Sequence, residues 1–136
     1  MTDGYSADRI ALQDVMLDYA AGVDERDIER YRACFTDDVE VVGFGSGTYR
    51  GRDNWVEYVW GALDKYSATQ HLLGPQHATI NGDTARTRSD VQAMHVLESG
   101  ARFTLWATYI TDMHREGERW LINRHELVVR ATHTDG

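Results

Sequence analysis

The chain has one cysteine, one proline and too few basic residues to balance its acidic ones. Because Cys34 is the only cysteine, no intrachain disulfide can form, which suits a reducing cytoplasm. The formal charge of −8 argues against nucleic acid or an anionic membrane surface as a partner, since both select clustered Lys and Arg. No apolar run approaches membrane-spanning length, and the first ten residues lack the segments of a signal peptide. We therefore expect a cytoplasmic protein with no membrane partner.

Several motifs of common enzyme classes are also missing. No histidine or cysteine pair has zinc-ligand spacing, no G-x-S-x-G surrounds a serine, and no glycine-rich phosphate loop follows a strand. We therefore expect no metal site and no organic cofactor. Apolar residues make up 42% of the chain and charged residues 26%, as in ordinary globular proteins, and no repeat or linker divides it. These features predict one domain over residues 1–136.

Apolar residues at helical spacing predict three helices in the first half of the chain. In the first helix, Ser6 is the expected N-cap, Gly22 ends or loosens the last turn, and Asp24 lies just beyond it. Its apolar stripe comprises Ile10 (or Leu12), Val15, Met16, Tyr19 and Val23. "RDIERYRACF" and "DNWVEYVWGALDKY" predict the second and third helices, separated by a glycine-rich hairpin.

The rest of the chain has the pattern of strands. The segment "YSATQHLLGPQH" reads as a strand that holds His71, and turns at 81–83, 98–101 and 115–118 separate three longer strands. From Thr84, alternate residues are small or apolar and end at His95, while Asp90 falls on the polar side. Helices followed by a long antiparallel meander predict an α+β domain, in which helices close a strongly curved sheet and leave a pocket.

The order of several segments resembles a known family. "LQDVMLDYAAGVDERDIERYRACFTDDVEV", "GTYRGRDNW", "TQHLLGPQHATINGDTARTRSDV" and "ATYITDMHREGERWLINR" are similar to the SnoaL-like branch of the nuclear-transport-factor-2-like superfamily. Its members include scytalone dehydratase, bile-acid 7α-dehydratase, ketosteroid isomerase, polyketide cyclases and a dehydrochlorinase, and many have no known activity. The resemblance implies a cone-shaped α+β barrel, with three helices packed on a mostly antiparallel sheet and dimerisation through the outer sheet face.

The resemblance also implies a site. Asp24 and His71 match the carboxylate and histidine that pair in the lyase members, and Tyr19 matches a tyrosine one turn before the carboxylate. His95 matches a second histidine of scytalone dehydratase. In such a site His71 would abstract a proton, Asp24 would orient the ring, and Tyr19 and His95 would bind or protonate an oxygen. The candidate substrate-binding walls are Tyr49, Trp55, Phe103 and Trp106, within a larger set of aromatic residues.

Simpler interpretations of the same residues stay open. His71 could be a core histidine bonded to a backbone carbonyl, Asp24 could cap the second helix, and Tyr19 could serve only packing. The leading hypothesis is a dehydratase-type lyase acting on a small apolar cyclic or aromatic substrate, polyketide-like or steroid-like. A ketosteroid-isomerase-like isomerase, a polyketide cyclase, a non-catalytic binding module and a partner subunit are the alternatives.

The remaining reactive side chains receive structural roles. We expect Cys34 in the core and three histidines in solvent (His77, His114 and His133). His125 has no clear assignment, because the alternation of the last strand is not regular.

Overall fold

The computed structural model describes residues 4–136. Its helices are α1 (Gly4–Asp24), α2 (Ile28–Arg32) and α3 (Arg52–Leu63). Its strands are β1 (Phe35–Val42), β2 (Thr48–Arg50), β3 (Tyr66–Leu73), β4 (His77–Asn81), β5 (Thr84–Leu97), β6 (Arg102–Glu116) and β7 (Arg119–Asp135). No helix within 4–136 combines the length and the apolar character needed to cross a membrane.

Helix α1 packs the predicted stripe against the sheet, with two corrections. Leu12 is fully buried whereas Ile10 is 63% exposed, so the stripe passes through Leu12. Ser6 is not an N-cap, because the helix already includes Gly4. α2 does have a side-chain N-cap: the carboxylate of Asp27 accepts a hydrogen bond from the backbone N–H of Arg30.

The seven strands described form one curved sheet in the order β2-β1-β7-β6-β5-β3, with β4 also paired to β5. β1 and β7 run parallel and the other pairs are antiparallel, so the sheet is mostly antiparallel, as expected. The order does not return to its starting strand, so the cone is an open sheet closed by helices. This confirms the α+β fold class.

Two extra residues in β7 bend the sheet. Asp112 pairs with Arg124 and the next residue, Met113, with Ile122, so that residue 123 is left without a partner. A second shift, between positions 106 and 107 of β6, leaves residue 130 unpaired in the same way. Bulges of this kind bend a strand and increase its twist, which gives the concave face that the helices cover. The core lies on that face and includes Leu12, Met16, Val39, Val41, Trp55, Met113 and Ile122.

The predicted strand over residues 66–77 is in fact two strands. β3 and β4 both pair with β5, His71 opposite Ala93 and His77 opposite Arg88. Between them the strand is interrupted at residues 74–76, where Pro75 has no backbone N–H to donate to the sheet. The break leaves β3 free to end close to the C-terminus of α1.

Candidate functional site

Asp24 is the last residue of α1, and three donors converge on its carboxylate. Oδ1 lies 2.8 Å from Nδ1 of His71 and accepts the hydroxyl of Thr69 at 3.0 Å. Oδ2 accepts the backbone N–H of His71 at 2.7 Å. Burial alone would raise the pKa of Asp24, but these hydrogen bonds outweigh it and lower the pKa. Asp24 is therefore a carboxylate at neutral pH, although a negative charge at a helix C-terminus opposes the helix dipole.

The contact with Asp24 determines the hydrogen arrangement on His71. A carboxylate only accepts, so Nδ1 must carry the hydrogen, and in the neutral ring Nε2 is unprotonated. The side chain of His71 is 11% exposed and borders a cavity. The pair predicted from the sequence is thus brought together, and Asp24 is not the cap of α2.

The cavity beside His71 has a volume of about 240 Å³ and lies between the helices and the concave face of the sheet. Its walls are mostly aromatic and aliphatic. They comprise Tyr19, Val23, Tyr31, Phe44, Trp55, Tyr58, Val59, Ala62, Leu63, Lys65, Tyr66, His71, Ala93, His95, Phe103, Leu105 and Tyr109. No carboxylate is among these described lining residues, and Lys65 at the rim is their only fixed charge. The lining fits an apolar ligand.

His95 faces the same cavity. Its ring centroid is 6.0 Å from that of His71, and its Nδ1 lies 3.1 Å from the backbone oxygen of Phe103. Because a carbonyl oxygen only accepts, Nδ1 carries the hydrogen, and Nε2 of the neutral ring is an acceptor. Burial lowers the pKa of His95, so the ring is neutral at pH 7. In this form His95 can accept a hydrogen bond from a ligand hydroxyl.

Tyr19 points inward as expected, but its hydroxyl is held by a residue without a sequence assignment. It lies 3.0 Å from Nε2 of His125, whose Nδ1 is 2.8 Å from the hydroxyl of Thr111. The ring of Tyr19 packs at 4.9 Å on Tyr31 and at 5.4 Å on Tyr109, and all three tyrosines line the cavity. Burial raises the pKa of each phenol well above its ordinary value, so the three hydroxyls are neutral.

His125 is completely buried, and the loss of solvation lowers its pKa to about 3. It packs between Tyr109 and Phe44 at ring distances of 4.7 and 5.6 Å. The extra residue at position 123 explains why the sequence did not assign it. Before the bulge, even-numbered residues of β7 face inward, and after it the odd-numbered His125 and Leu127 do.

Two of the four predicted substrate-binding residues lie elsewhere. Trp55 and Phe103 line the cavity, but Trp106 follows Leu105 on the opposite face of β6 and is 38% exposed. Tyr49 is not among the lining residues; its ring packs 4.3 Å from that of Tyr58 and 5.5 Å from that of Trp55, both of which line the cavity. Tyr49 and Trp106 are therefore corrections to the predicted wall.

The other predictions on single residues have mixed outcomes. Cys34 is buried, and burial raises the pKa of its thiol to about 12, which fits a core residue. His77 and His133 are exposed, as predicted, while His114 is half-buried and lies 2.8 Å from Glu116. Within residues 4–136, no group of three or more His, Cys, Asp and Glu side chains is arranged to hold a metal.

Two solved structures share the fold over nearly the whole chain. One is a type 2 hexachlorocyclohexane dehydrochlorinase (LinA): 24% identity, 97% of this chain, 91% of that chain and a TM-score of 0.89. The other is a candidate scytalone dehydratase from Novosphingobium aromaticivorans: 24% identity, 98% of this chain, 91% of that chain and a TM-score of 0.91. At this identity the likeness establishes the fold and leaves the reaction open.

A curated relative adds a sequence match without a function. The uncharacterized protein Rv2910c of Mycobacterium tuberculosis is 29% identical over 86 residues, which is 60% of this chain and 56% of the relative. The match therefore spans little more than half the length of that relative. The model of the SnoaL-like domain matches residues 4–126, which is nearly all of the chain. The chain belongs to the SnoaL-like domain family.

Proposed function

We propose that this protein is a cofactor-independent lyase that eliminates a leaving group from a small apolar cyclic or aromatic substrate. The observation that carries the proposal is the position of His71. Its Nδ1 is hydrogen-bonded to the Asp24 carboxylate, and its ring borders an apolar cavity. A neutral imidazole whose Nε2 faces a substrate is suited to take a proton, and the carboxylate stabilises the imidazolium that forms.

The proposed elimination balances without a metal or a second reactant. Nε2 of His71 takes a proton from carbon, and the electrons of that C–H bond form the new double bond. The bond to the leaving group on the adjacent carbon breaks, and the group departs with its electron pair. When the leaving group is hydroxide, the imidazolium returns the proton and water is released. His95 can accept a hydrogen bond from a second hydroxyl and so orient the ring of the substrate.

The volume of the cavity limits the size of the proposed substrate. Ligand pockets ordinarily measure about 300–1,000 Å³. A cavity of about 240 Å³ is below that range and favours one ring, or two fused rings, over a four-ring steroid. An elimination that removes water or chloride from such a ring is also consistent with the names of the two structural relatives, which are a dehydratase and a dehydrochlorinase.

A panel of two substrate classes tests the proposal. Cyclic β-hydroxyketones would be followed by the absorbance of the enone product, and polychlorinated cyclohexanes by chloride release. Asp24→Asn should lower kcat by about 10²–10⁴-fold, because the amide no longer stabilises the imidazolium. His77→Gln is the matched control, since His77 is an exposed histidine beyond the break after β3.

The opposite result would favour the binding-module alternative. In that case no compound of either class is consumed, and His71→Ala binds an apolar ring compound as tightly as the unmodified protein does. Isomerisation of a cyclic enone would need the same proton abstraction without loss of a group. It would appear as a shifted double bond with no released water or chloride.

We also propose that the chain forms a homodimer through the outer face of the sheet. On that face Leu72 is 65% exposed and Trp106 38% exposed, and both pair in register with Gln92 of β5. Two exposed apolar side chains on either side of Gln92 favour association with a like surface. Sedimentation of the protein and of Trp106→Glu tests this: we expect a dimer and a monomer, respectively. A monomer in both cases would overturn it.

A further inference from the structure

Arg26, two residues after Asp24, has an unusual backbone conformation. Its φ is 57°, and it is the one non-glycine residue within 4–136 whose φ is positive. The backbone N–H of Arg26 bonds the carbonyl of Val23, and that of Asp27 bonds the carbonyl of Gly22. This is the pattern of a Schellman motif, in which glycine is the usual residue at the left-handed position. A side chain kept where glycine is preferred points to a role for that side chain.

The guanidinium of Arg26 lies behind the Asp24 carboxylate. Its Nη1 donates to the hydroxyl of Thr69 at 2.9 Å and also to the backbone oxygen of Val23. Its Nη2 is buried and has no hydrogen-bond partner among the residues described. Thr69 itself is buried, on β3 two residues before His71.

These contacts fix the direction of each hydrogen bond in the chain. A guanidinium can only donate, so Thr69 must accept from Arg26 through its oxygen. The single hydroxyl hydrogen of Thr69 is then directed to Oδ1 of Asp24, at 3.0 Å. The same Oδ1 accepts the Nδ1 hydrogen of His71. Without Arg26, the Thr69 hydroxyl would be free to rotate and to present its lone pairs to the carboxylate.

We propose that Arg26 is a positioning residue for the Asp24–His71 pair and acts through the hydroxyl of Thr69. This inference rests on the proposed function, in which His71 is the base and Asp24 its carboxylate. A hydrogen bond polarised by a cation is stronger than a neutral one, so the chain both orients Oδ1 and stabilises its negative charge. Arg26 does not touch the cavity.

A simpler role for Arg26 would be to cap the C-terminus of α1. A cation there is favourable because it interacts with the helix dipole and with the last carbonyl groups. The hydrogen bond from Arg26 to Val23 fits this role, but helix capping does not require the hydrogen bond from Arg26 to Thr69. The two roles differ in what they predict for the carboxyl group of Asp24.

The test is a carbon NMR titration of the Asp24 carboxyl group in the full-length protein. Arg26→Gly removes the guanidinium and places the preferred residue at the left-handed position, so the variant should fold. We expect it to raise the pKa of Asp24 by about half a unit to one unit. Thr69→Val should do the same, and Thr69→Ser, which keeps the hydroxyl, should restore the original titration. Arg50→Gln, which removes an exposed cation paired with Glu40, is the control and should have no effect.

The double variant Arg26→Gly with Thr69→Val separates the mechanisms. If Arg26 acts through Thr69, the double variant titrates like Thr69→Val alone. If the two shifts add, Arg26 acts on Asp24 directly by its charge, and the proposal is wrong. An unchanged pKa in Arg26→Gly, with only the melting temperature altered, would leave helix capping as its role.

The titration is read without any substrate. It therefore stays interpretable even if the protein turns over none of the compounds in the activity panel, and a failed elimination assay cannot be mistaken for a failure of the Arg26 proposal. Because the carboxyl carbon is observed directly, the signal of Asp24 is distinguished from those of the nearby imidazole rings of His71 and His95.

Discussion

Lowering the pH from 7 to 5 should weaken the fold by about 2 kcal/mol through His125 alone. The ring is completely buried, and its pKa falls from 6.5 to about 3 because burial removes solvation from the charged form. Between those two pKa values His125 is protonated in the unfolded chain and neutral in the folded chain. The free energy of unfolding therefore decreases as the pH falls, by up to about 1.36 kcal/mol for each pH unit.

The sign follows from which state binds the proton. Above pH 6.5 both states leave His125 neutral and the contribution is fully present; it is lost progressively as the pH falls towards 3. Burial also lowers the pKa of His95, so that residue adds a loss of the same sign. A comparison with a variant at position 125 isolates the part that belongs to His125.

Urea unfolding at about pH 7 and about pH 5 measures the effect. His125→Gln should lose less stability than the unmodified protein over this interval, by about 2 kcal/mol. Any pH-independent damage from the substitution cancels in the difference. Thr111→Val, which keeps the ring and removes its Nδ1 partner, should retain the full loss. If the unmodified protein and His125→Gln lose the same free energy of unfolding over this interval, the reasoning is refuted, because the pKa of His125 cannot then be lower in the folded state.

Two further predictions concern packing and ligand charge. Gly22→Ala should destabilise the protein by about 1–3 kcal/mol, because a Cβ there would lie 2.9 Å from the backbone of Tyr31. In contrast, a Cβ at Gly61 in α3 would meet no atom within 4 Å, so Gly61→Ala should raise the free energy of unfolding by about 0.5–1 kcal/mol. Chemical unfolding of both variants measures the two effects. Calorimetry should show that cinnamate binds about twofold to fivefold more tightly than the isosteric cinnamamide, because Lys65 is the only fixed charge among the described lining residues. Lys65→Gln should remove this preference. A preference that survives in Lys65→Gln would place the selecting charge elsewhere.

The sequence predicts the Asp24–His71 pair because each residue lies where a regular element puts it. The helical stripe carries Asp24 inward at the end of α1, and alternation within β3 sends His71 to the same side. The fold class follows from the same two periodicities. These are local properties, and the family resemblance supplied the long-range pairing between them.

The predictions are wrong where the local periodicity is interrupted or where two predicted positions conflict with it. Phe103 and Trp106 are three residues apart, so a regular strand cannot direct both into one cavity, and only Phe103 lines it. His125 lies beyond an extra residue that reverses the alternation, and no feature of the sequence marks that position. Arg26 could not be connected to Thr69 because the contact depends on the turn after α1 and on the path of β3 together.

The extra residue at position 123 divides β7 into a short first part, residues 119–122, and a longer second part. Even-numbered residues face inward in the first part, whereas His125 and Leu127 face inward after the extra residue. The first part places Trp120 and Ile122 in the core, and the second part places Leu127 in the core and His125 against the tyrosines that line the cavity. Deleting residue 123 would exchange the inner and outer side chains of one part relative to the other. One inserted residue therefore sets which side chains of the second part reach the core and the ligand site.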